Sequence, residues 1–246
     1  GFLARLNANP YSKNLLDNSF RRFYLDYYFY RDVAGNRSKL LSGEFGEKWI
    51  RGYRDNRTRE RNSFSSFIAI TSELIRDKKI TRVLQVGCAG GADIDCLIKA
   101  LGEYDCEFIG MDLNAEAIEK NRAFYSHSHV EWLSEDGLNV DKLAAVSPGL
   151  VFTSGTATYF TQAELRKFIL NARAVGARYL AFYEPITNSE FNYFTSTEST
   201  PRCFMALNHP YSSVLRELGV NVIVDKQMGL TTRKTLQACD VLCIGE

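Results

Sequence analysis

A run of small residues after a short apolar segment constrains this chain more than any other feature. Residues 83–86 are Val-Leu-Gln-Val, and Gly-Cys-Ala-Gly-Gly follows at 87–91. The next ten residues have the apolar spacing of a helix. Where a buried strand enters a helix through small residues, a ligand can approach the backbone, and the start of the helix offers free N–H groups. The pattern predicts a binding site for an anionic or polar ligand at this turn.

From residue 81 onward, short β-rich runs alternate with helical ones. This rhythm is typical of a doubly wound α/β fold, and we expect seven strands, mostly parallel, with helices on both faces. The predicted strands are 81–86, 107–111, 130–133, 150–153, 179–183, 220–225 and 236–244, and the predicted helices are 92–101, 115–125, 162–174 and 210–218. Because no helix separates the last two strands, we expect an antiparallel edge pair joined by a loop that contains Gly229.

Residues 1–80 have a different pattern, with apolar and aromatic residues at helical spacing, including a helix at about 63–77. We predict a helical N-terminal cap at 1–80 and a ligand-binding domain at 81–246. An arginine run at 51–61 could clamp a carboxylate or phosphate, or could form a solvated helix face balanced by nearby acids.

Composition excludes several classes of protein. The apolar runs are far shorter than the roughly 20 residues that a membrane helix needs. The net charge is +1, which makes nucleic acid an unlikely partner. The six cysteines form no CxxC pair and no zinc-type cluster, so we expect reduced thiols, no metal site and a cytoplasmic setting. The first residues do not resemble a signal peptide.

An acidic residue ends the second predicted strand, in Phe108-Ile109-Gly110-Met111-Asp112. A carboxylate at this place can accept hydrogen bonds from ribose hydroxyls. Asp112 could instead cap the helix that starts near Asn114, with the glycine loop serving packing alone.

Together these segments resemble class I S-adenosylmethionine (SAM) methyltransferases, over about residues 80–246. Those enzymes have a strand that ends in acid-x-Gly-x-Gly-x-Gly, and Gly87, Ala89 and Gly91 take the glycine positions here. The resemblance implies SAM as the cofactor, Asp112 at the ribose and Asp136 at the adenine. The implied cofactor residues are Gly87, Cys88, Ala89, Gly90, Gly91, Asp112, Leu113, Asp136, Gly137 and Ser154.

The sequence departs from that family at two positions: Gln85 replaces the usual acid, and Ala89 replaces the middle glycine. These departures leave open a catalytically silent, methyltransferase-like scaffold. An NAD(P)-dependent oxidoreductase is a further alternative, with Gly87, Ala89 and Ala92 as a degraded dinucleotide fingerprint.

The methyl acceptor is predicted to be a hydroxyl on a small molecule or saccharide, and a homodimer is possible. An oxygen acceptor usually needs a base, and the candidates are His209, after the fifth strand, and Glu184, at that strand's end. The long polar and aromatic segment 186–208 favours a functional loop. A Glu-Phe-Gly segment at 44–46 and Arg61-Asn62 are similar to the start of bacterial methylases associated with surface sugars.

Overall fold

The computed structural model describes residues 62–187, 191–203, 206–233 and 236–246. The arginine run and the predicted cap before residue 62 therefore lie outside the described residues. The helices are α1 (Asn62–Asp77), α2 (Ala92–Leu101), α3 (Ala115–Phe124), α4 (Val140–Val146), α5 (Gln162–Ala174) and α6 (Tyr211–Glu217). The strands are β1 (Arg82–Val86), β2 (Glu107–Asp112), β3 (Val130–Ser134), β4 (Leu150–Ser154), β5 (Tyr179–Thr187), β6 (Thr200–Cys203), β7 (Ala206–Asn208), β8 (Val222–Arg233) and β9 (Leu236–Gly245).

Seven strands form one sheet in the order β3-β2-β1-β4-β5-β9-β8. The first five strands in this order are parallel, and β9 pairs antiparallel with both β5 and β8. The predicted doubly wound sheet with an antiparallel edge is confirmed. The chain leaves β1 in one direction to β2 and β3 and later returns to β4 on the other side. In such sheets the crevice for a ligand lies outside the carboxyl ends of the strands where the order reverses, here β1 and β4.

Apolar residues cover both faces of the sheet, as expected of a parallel sheet buried between helices. One face packs Leu84 and Val86 of β1 with helices α5 and α6, and the other packs Val83 with α1 and α2. On that second face, the ring of Phe67 in α1 stacks on Tyr183 of β5 with centroids 4.6 Å apart. The predicted helix at 63–77 is thus confirmed, and it shares its core with the sheet. The proposed domain boundary at residue 80 stays a prediction.

The structure corrects the prediction for the last strand pair. Strand β8 extends to Arg233, and Gly229 lies inside it instead of in the connecting loop. The register shifts between Met228 and Leu230, and Gly229 has a φ of +61°. A bulge with glycine in the left-handed region lets the pairing continue past this point.

Three short elements were absent from the sequence prediction. They are helix α4, a 3₁₀ turn at Ala157–Tyr159 and the β6–β7 hairpin within the long segment after β5. No helix within the described ranges combines the length and the apolar character that crossing a membrane requires.

Candidate functional site

The small-residue segment forms a tight turn between β1 and α2, which we call the glycine loop (Gly87–Gly91). The backbone N–H groups of Gly87 and Cys88 both donate to the carbonyl oxygen of Met111, at 2.7 and 3.0 Å. Gly87, Ala89 and Gly91 have φ angles of +75°, +44° and +73°. This conformation folds the chain back at the end of β1 and points it into α2, at the edge where the strand order reverses.

Glycine is required at both ends of the loop because the protein's own side chains pack there. A Cβ on Gly87 would lie 2.1 Å from Oγ1 of Thr156, and a Cβ on Gly91 would lie 2.6 Å from Trp132 Cη2. Thr156, in turn, donates from its hydroxyl to the carbonyl of Gly87 at 3.2 Å. The loop is therefore fixed from both sides, by the segment after β4 and by β3.

Ala89 holds the left-handed conformation through both of its backbone polar groups. Its N–H donates to Asp112 Oδ2 at 2.8 Å, and its carbonyl accepts from Asn121 Nδ2 at 2.7 Å. The next carbonyl, of Gly90, accepts from the Tyr125 hydroxyl at 2.9 Å. Asn121 and Tyr125 were not among the predicted site residues. Their i, i+4 spacing, which puts them on one helical face toward the loop, is the only sequence signal that could have identified them.

Asp112 is buried at the end of β2 and connects two loops. Its Oδ2 atom holds Ala89, and its Oδ1 atom accepts from the backbone N–H of Asn114 at 2.9 Å. Burial raises the pKa of this carboxyl group, and the backbone hydrogen bonds oppose that increase. Each carboxylate oxygen has two lone pairs, so Asp112 retains capacity to accept hydroxyl groups of a ligand. This arrangement fits the ribose contact that the resemblance implies.

The other predicted cofactor residues lie at the same edge. Asp136 Oδ1 accepts from the backbone of Leu138 at 2.9 Å, and a Cβ on Gly137 would lie 2.3 Å from Cγ1 of Val86. Half-buried Leu113 follows β2, and buried Ser154 ends β4. The backbone N–H of Glu135 donates to the carbonyl of Asp112 at 3.1 Å, which ties the ends of β2 and β3 together.

Cys88 lies in the same loop but turns its side chain into the core. Its thiol is buried, and burial raises its pKa well above the usual range. Any contact of Cys88 with a ligand would therefore involve its backbone.

Gln85, which replaces the usual acid of β1, pairs with an acidic side chain of the neighbouring helix. Gln85 Nε2 donates to Asp93 Oδ2 at 2.9 Å, and both side chains are buried. Asp93 lies in the first turn of α2, where a negative charge is favoured by the helix dipole. The replacement at Gln85 is thus part of a hydrogen-bonded pair.

Glu184, one of the two candidate bases, is fully buried and organises the segment after β4. Its Oε1 atom accepts from the Thr153 hydroxyl and from the backbone of Thr156 and Ala157, at 2.7, 3.1 and 3.0 Å. Its Oε2 atom accepts from the backbone of Thr158 at 3.3 Å. Burial raises the pKa of Glu184 to about 7, against the lowering effect of these bonds. This geometry makes Glu184 an anchor for the segment Ser154–Phe160.

His209, the other candidate base, is also fully buried, whereas its hydrogen-bond partner Ser199 is half-buried. Its Nε2 atom lies 2.9 Å from the carbonyl oxygen of Phe160, and its Nδ1 atom lies 2.7 Å from Oγ of Ser199. Since a carbonyl can only accept, Nε2 carries the proton and Nδ1 accepts from the serine hydroxyl. Burial lowers the pKa of His209 to about 4, so the ring is neutral at physiological pH.

Ser199 is itself held in place by helix α5. Its backbone N–H donates to Gln162 Oε1 at 3.0 Å, and Gln162 Nε2 donates to the carbonyl of Thr197 at 3.1 Å. Asn208 ties the far end of the same segment to β5, where its Oδ1 atom accepts from the backbone of Thr187 at 2.9 Å. The described part of the predicted functional loop is therefore an anchored structure.

Comparison with known proteins identifies this architecture. Residues 83–177, from β1 to the end of the β4–β5 crossover, match the family described as "Methyltransferase domain". This segment therefore matches a methyltransferase domain, and the sheet around it has the class I methyltransferase fold. S-adenosylmethionine is the methyl donor of this class. No curated protein matches the chain significantly.

Several solved structures share the fold at low sequence identity. The methyltransferase domain of bacterial CtHen1-CN has a TM-score of 0.53 and 11% identity, covering 72% of this chain and 96% of that one. The N-methyltransferase NodS from Bradyrhizobium japonicum WM9 has a TM-score of 0.50 and 16% identity, covering 75% and 96%. The N-terminal domain of EvdMO1 with SAH bound has a TM-score of 0.50 and 13% identity, covering 73% and 80%.

Proposed function

We propose that this methyltransferase transfers the methyl group of SAM to a hydroxyl of a small molecule, with a saccharide as the preferred class of acceptor. The observation that carries the cofactor part of this proposal is the position of the Asp112 carboxylate. It is buried beside the glycine loop, its two oxygens hold the loops after β1 and β2, and it retains unused acceptor capacity.

The residues around Asp112 would bind the parts of the cofactor separately. The glycine loop and Ser154 would line the methionine end, Asp112 and Leu113 the ribose, and Asp136 and Gly137 the adenine. When bound, the cofactor supplies a methyl group that is already activated on a sulfonium. The protein's contribution to such a transfer is alignment of the acceptor and exclusion of water.

On the acceptor side, we propose that the proton of the hydroxyl leaves through Ser199. The Ser199 oxygen accepts the acceptor's proton while its own proton passes to His209 Nδ1, and the Nε2–H group continues to donate to the Phe160 carbonyl oxygen. A protonated ether is a far stronger acid than an imidazolium, so a histidine of low pKa is basic enough for this step. Such a histidine also stays neutral, and therefore ready, over the whole physiological pH range.

The saccharide preference is supported by the chemistry of the segment 191–209. Its described part combines hydroxyl and amide side chains with an exposed aromatic ring, Phe194. Hydroxyls and amides suit a polyol, and an aromatic face suits its apolar ring surface.

Calorimetric titration with S-adenosylhomocysteine (SAH), and separately with NADH, tests the proposed function. We expect the wild type to bind SAH and not NADH. Asp112→Asn should weaken SAH binding about 10- to 100-fold, because it removes hydrogen bonds to a charged group. Asp105→Asn is the matched control, since Asp105 is exposed and lies just before the opposite end of the same strand. It should bind SAH as the wild type does.

The acceptor part needs a second measurement. With radiolabelled SAM, methyl transfer to a panel of free sugars and nucleotide sugars is compared with transfer to matched amino sugars. Label that appears only on the amines would contradict the hydroxyl assignment. Wild-type protein that binds NADH but not SAH would contradict the proposal as a whole.

A further inference from the structure

The glycine loop contains one residue whose conformation its own side chain disfavours. Ala89 has a φ of +44°, in the left-handed region that non-glycine residues rarely adopt, and it stands where the resembled family has its middle glycine. A Cβ in this region crowds the following carbonyl, so the alanine would relax to negative φ unless other contacts prevented it. Two contacts do so, one to each polar group of the Ala89 backbone.

Asn121 is the part of this restraint that the sequence analysis did not identify. It is fully buried in α3, and its Nδ2 atom donates to the Ala89 carbonyl at 2.7 Å across 32 positions of sequence. On the other side of the peptide, Asp112 accepts the Ala89 N–H at 2.8 Å. The side chains of α3 and β2 thus hold the same residue from opposite sides.

We propose that Asn121 is a positioning residue of the cofactor site, which locks Ala89 in the left-handed conformation and so keeps the glycine loop in its binding geometry. This inference rests on the proposed function for its consequence in cofactor binding. If Ala89 left the left-handed conformation, the N–H and carbonyl groups on both sides of it would point elsewhere. The hydrogen bond from the Ala89 N–H to Asp112 would also be lost. Tyr125, one helical turn further along α3, supports the next carbonyl of the loop in the same way.

The hydrogen bond from Asn121 explains why alanine can stand at a glycine position. It also predicts that the effect of changing Asn121 depends on the residue at position 89. With alanine at position 89, loss of the Asn121 amide lets the backbone relax out of the left-handed region. With glycine at that position, the left-handed region carries no steric penalty, so the loop keeps its geometry without the amide. The effect of removing Asn121 should therefore be large in the native background and small in the Ala89→Gly background.

The test is a double-mutant cycle on SAH affinity, measured by calorimetry on the full chain. Asn121→Ala should weaken SAH binding about tenfold, and the same change in the Ala89→Gly background should weaken it less than about threefold. Tyr125→Phe, which removes only the hydroxyl, should weaken binding by a smaller factor. Tyr104→Phe is its matched control, because that hydroxyl also donates to a backbone carbonyl, of Ile75 at 3.3 Å, away from the site.

Amide hydrogen exchange separates failure of this inference from failure of the proposed function. In the ligand-free protein, exchange at Ala89 should become at least tenfold faster in Asn121→Ala and should not change in Tyr104→Phe. If the wild type binds no SAH, the proposed function fails, and exchange alone decides whether the lock exists. If the wild type binds SAH and Asn121→Ala matches it in affinity in both backgrounds, the positioning role is overturned.

Discussion

At the scale of single residues, the site depends on where side chains are absent as much as on where they are present. Gly91 has a φ of +73°, and a Cβ there would lie 2.6 Å from Trp132 Cη2 and 2.7 Å from Tyr125 Cε2. The two rings stack on each other with their centroids 5.5 Å apart. The glycine at this position lets two aromatic residues pack directly against the start of α2.

The change Gly91→Ala should destabilise the fold by about 2–4 kcal/mol, since the left-handed backbone and the overpacking of the two rings both oppose a side chain. Gly219 is a control with almost the same φ, +72°, and nothing within 4 Å of its Cβ position. Gly219→Ala should therefore cost only about 1–2 kcal/mol, from the backbone alone. Urea denaturation measures both, and equal losses would show that the aromatic contact does not matter.

At the scale of elements, the sequence predicted what depends on periodicity and missed what depends on contacts. The alternation of β-rich and helical runs identified the seven strands of the main sheet, since each is decided by a few consecutive residues. Helix α4, with seven residues, was missed. The hydrogen-bond partners of His209 and Glu184 could not be predicted either, because they include residues as distant in sequence as Phe160 and Thr153.

Helix α1 shows why the proposed cap and domain need not be independent. The side chain of Phe67 is fully buried, and its ring contacts Tyr183 of β5 and Phe152 of β4. Phe67→Ala should destabilise the whole domain by about 3–5 kcal/mol, as for other large aromatic residues truncated in a core. Phe124→Ala, at an exposed ring on α3, should cost well under about 1 kcal/mol.

The measurement for this prediction is chemical denaturation followed by two probes, far-ultraviolet circular dichroism and tyrosine fluorescence. Coincident transitions, both shifted by Phe67→Ala, would show that α1 unfolds with the sheet. A small early transition that leaves the main one unchanged would instead support a boundary at residue 80.

At the scale of the whole molecule, two buried titratable groups make stability depend on pH in opposite directions. His209 has a folded pKa of about 4 against an ordinary 6.5. Its contribution to the stability of the fold is therefore complete above pH 6.5 and is lost as the pH falls toward 4. Glu184 has a folded pKa of about 7 against an ordinary 4.5. Its contribution is complete below pH 4.5 and is lost as the pH rises through 7.

Between about pH 7 and pH 5 each group should change the free energy of unfolding by about 2 kcal/mol, with opposite signs, so that the two effects offset each other in the wild type. His209→Gln should remove the loss of stability that His209 causes at acidic pH. Relative to the wild type, the free energy of unfolding of this variant should then be higher at pH 5 than at pH 7. Glu184→Gln should do the reverse. Urea denaturation of the three proteins at both pH values measures these free energies of unfolding. The quantity compared is each protein's own difference between pH 5 and pH 7. A general loss of stability in a variant therefore does not affect the comparison. If both variants keep the wild-type difference, neither group has the shifted titration that its burial requires.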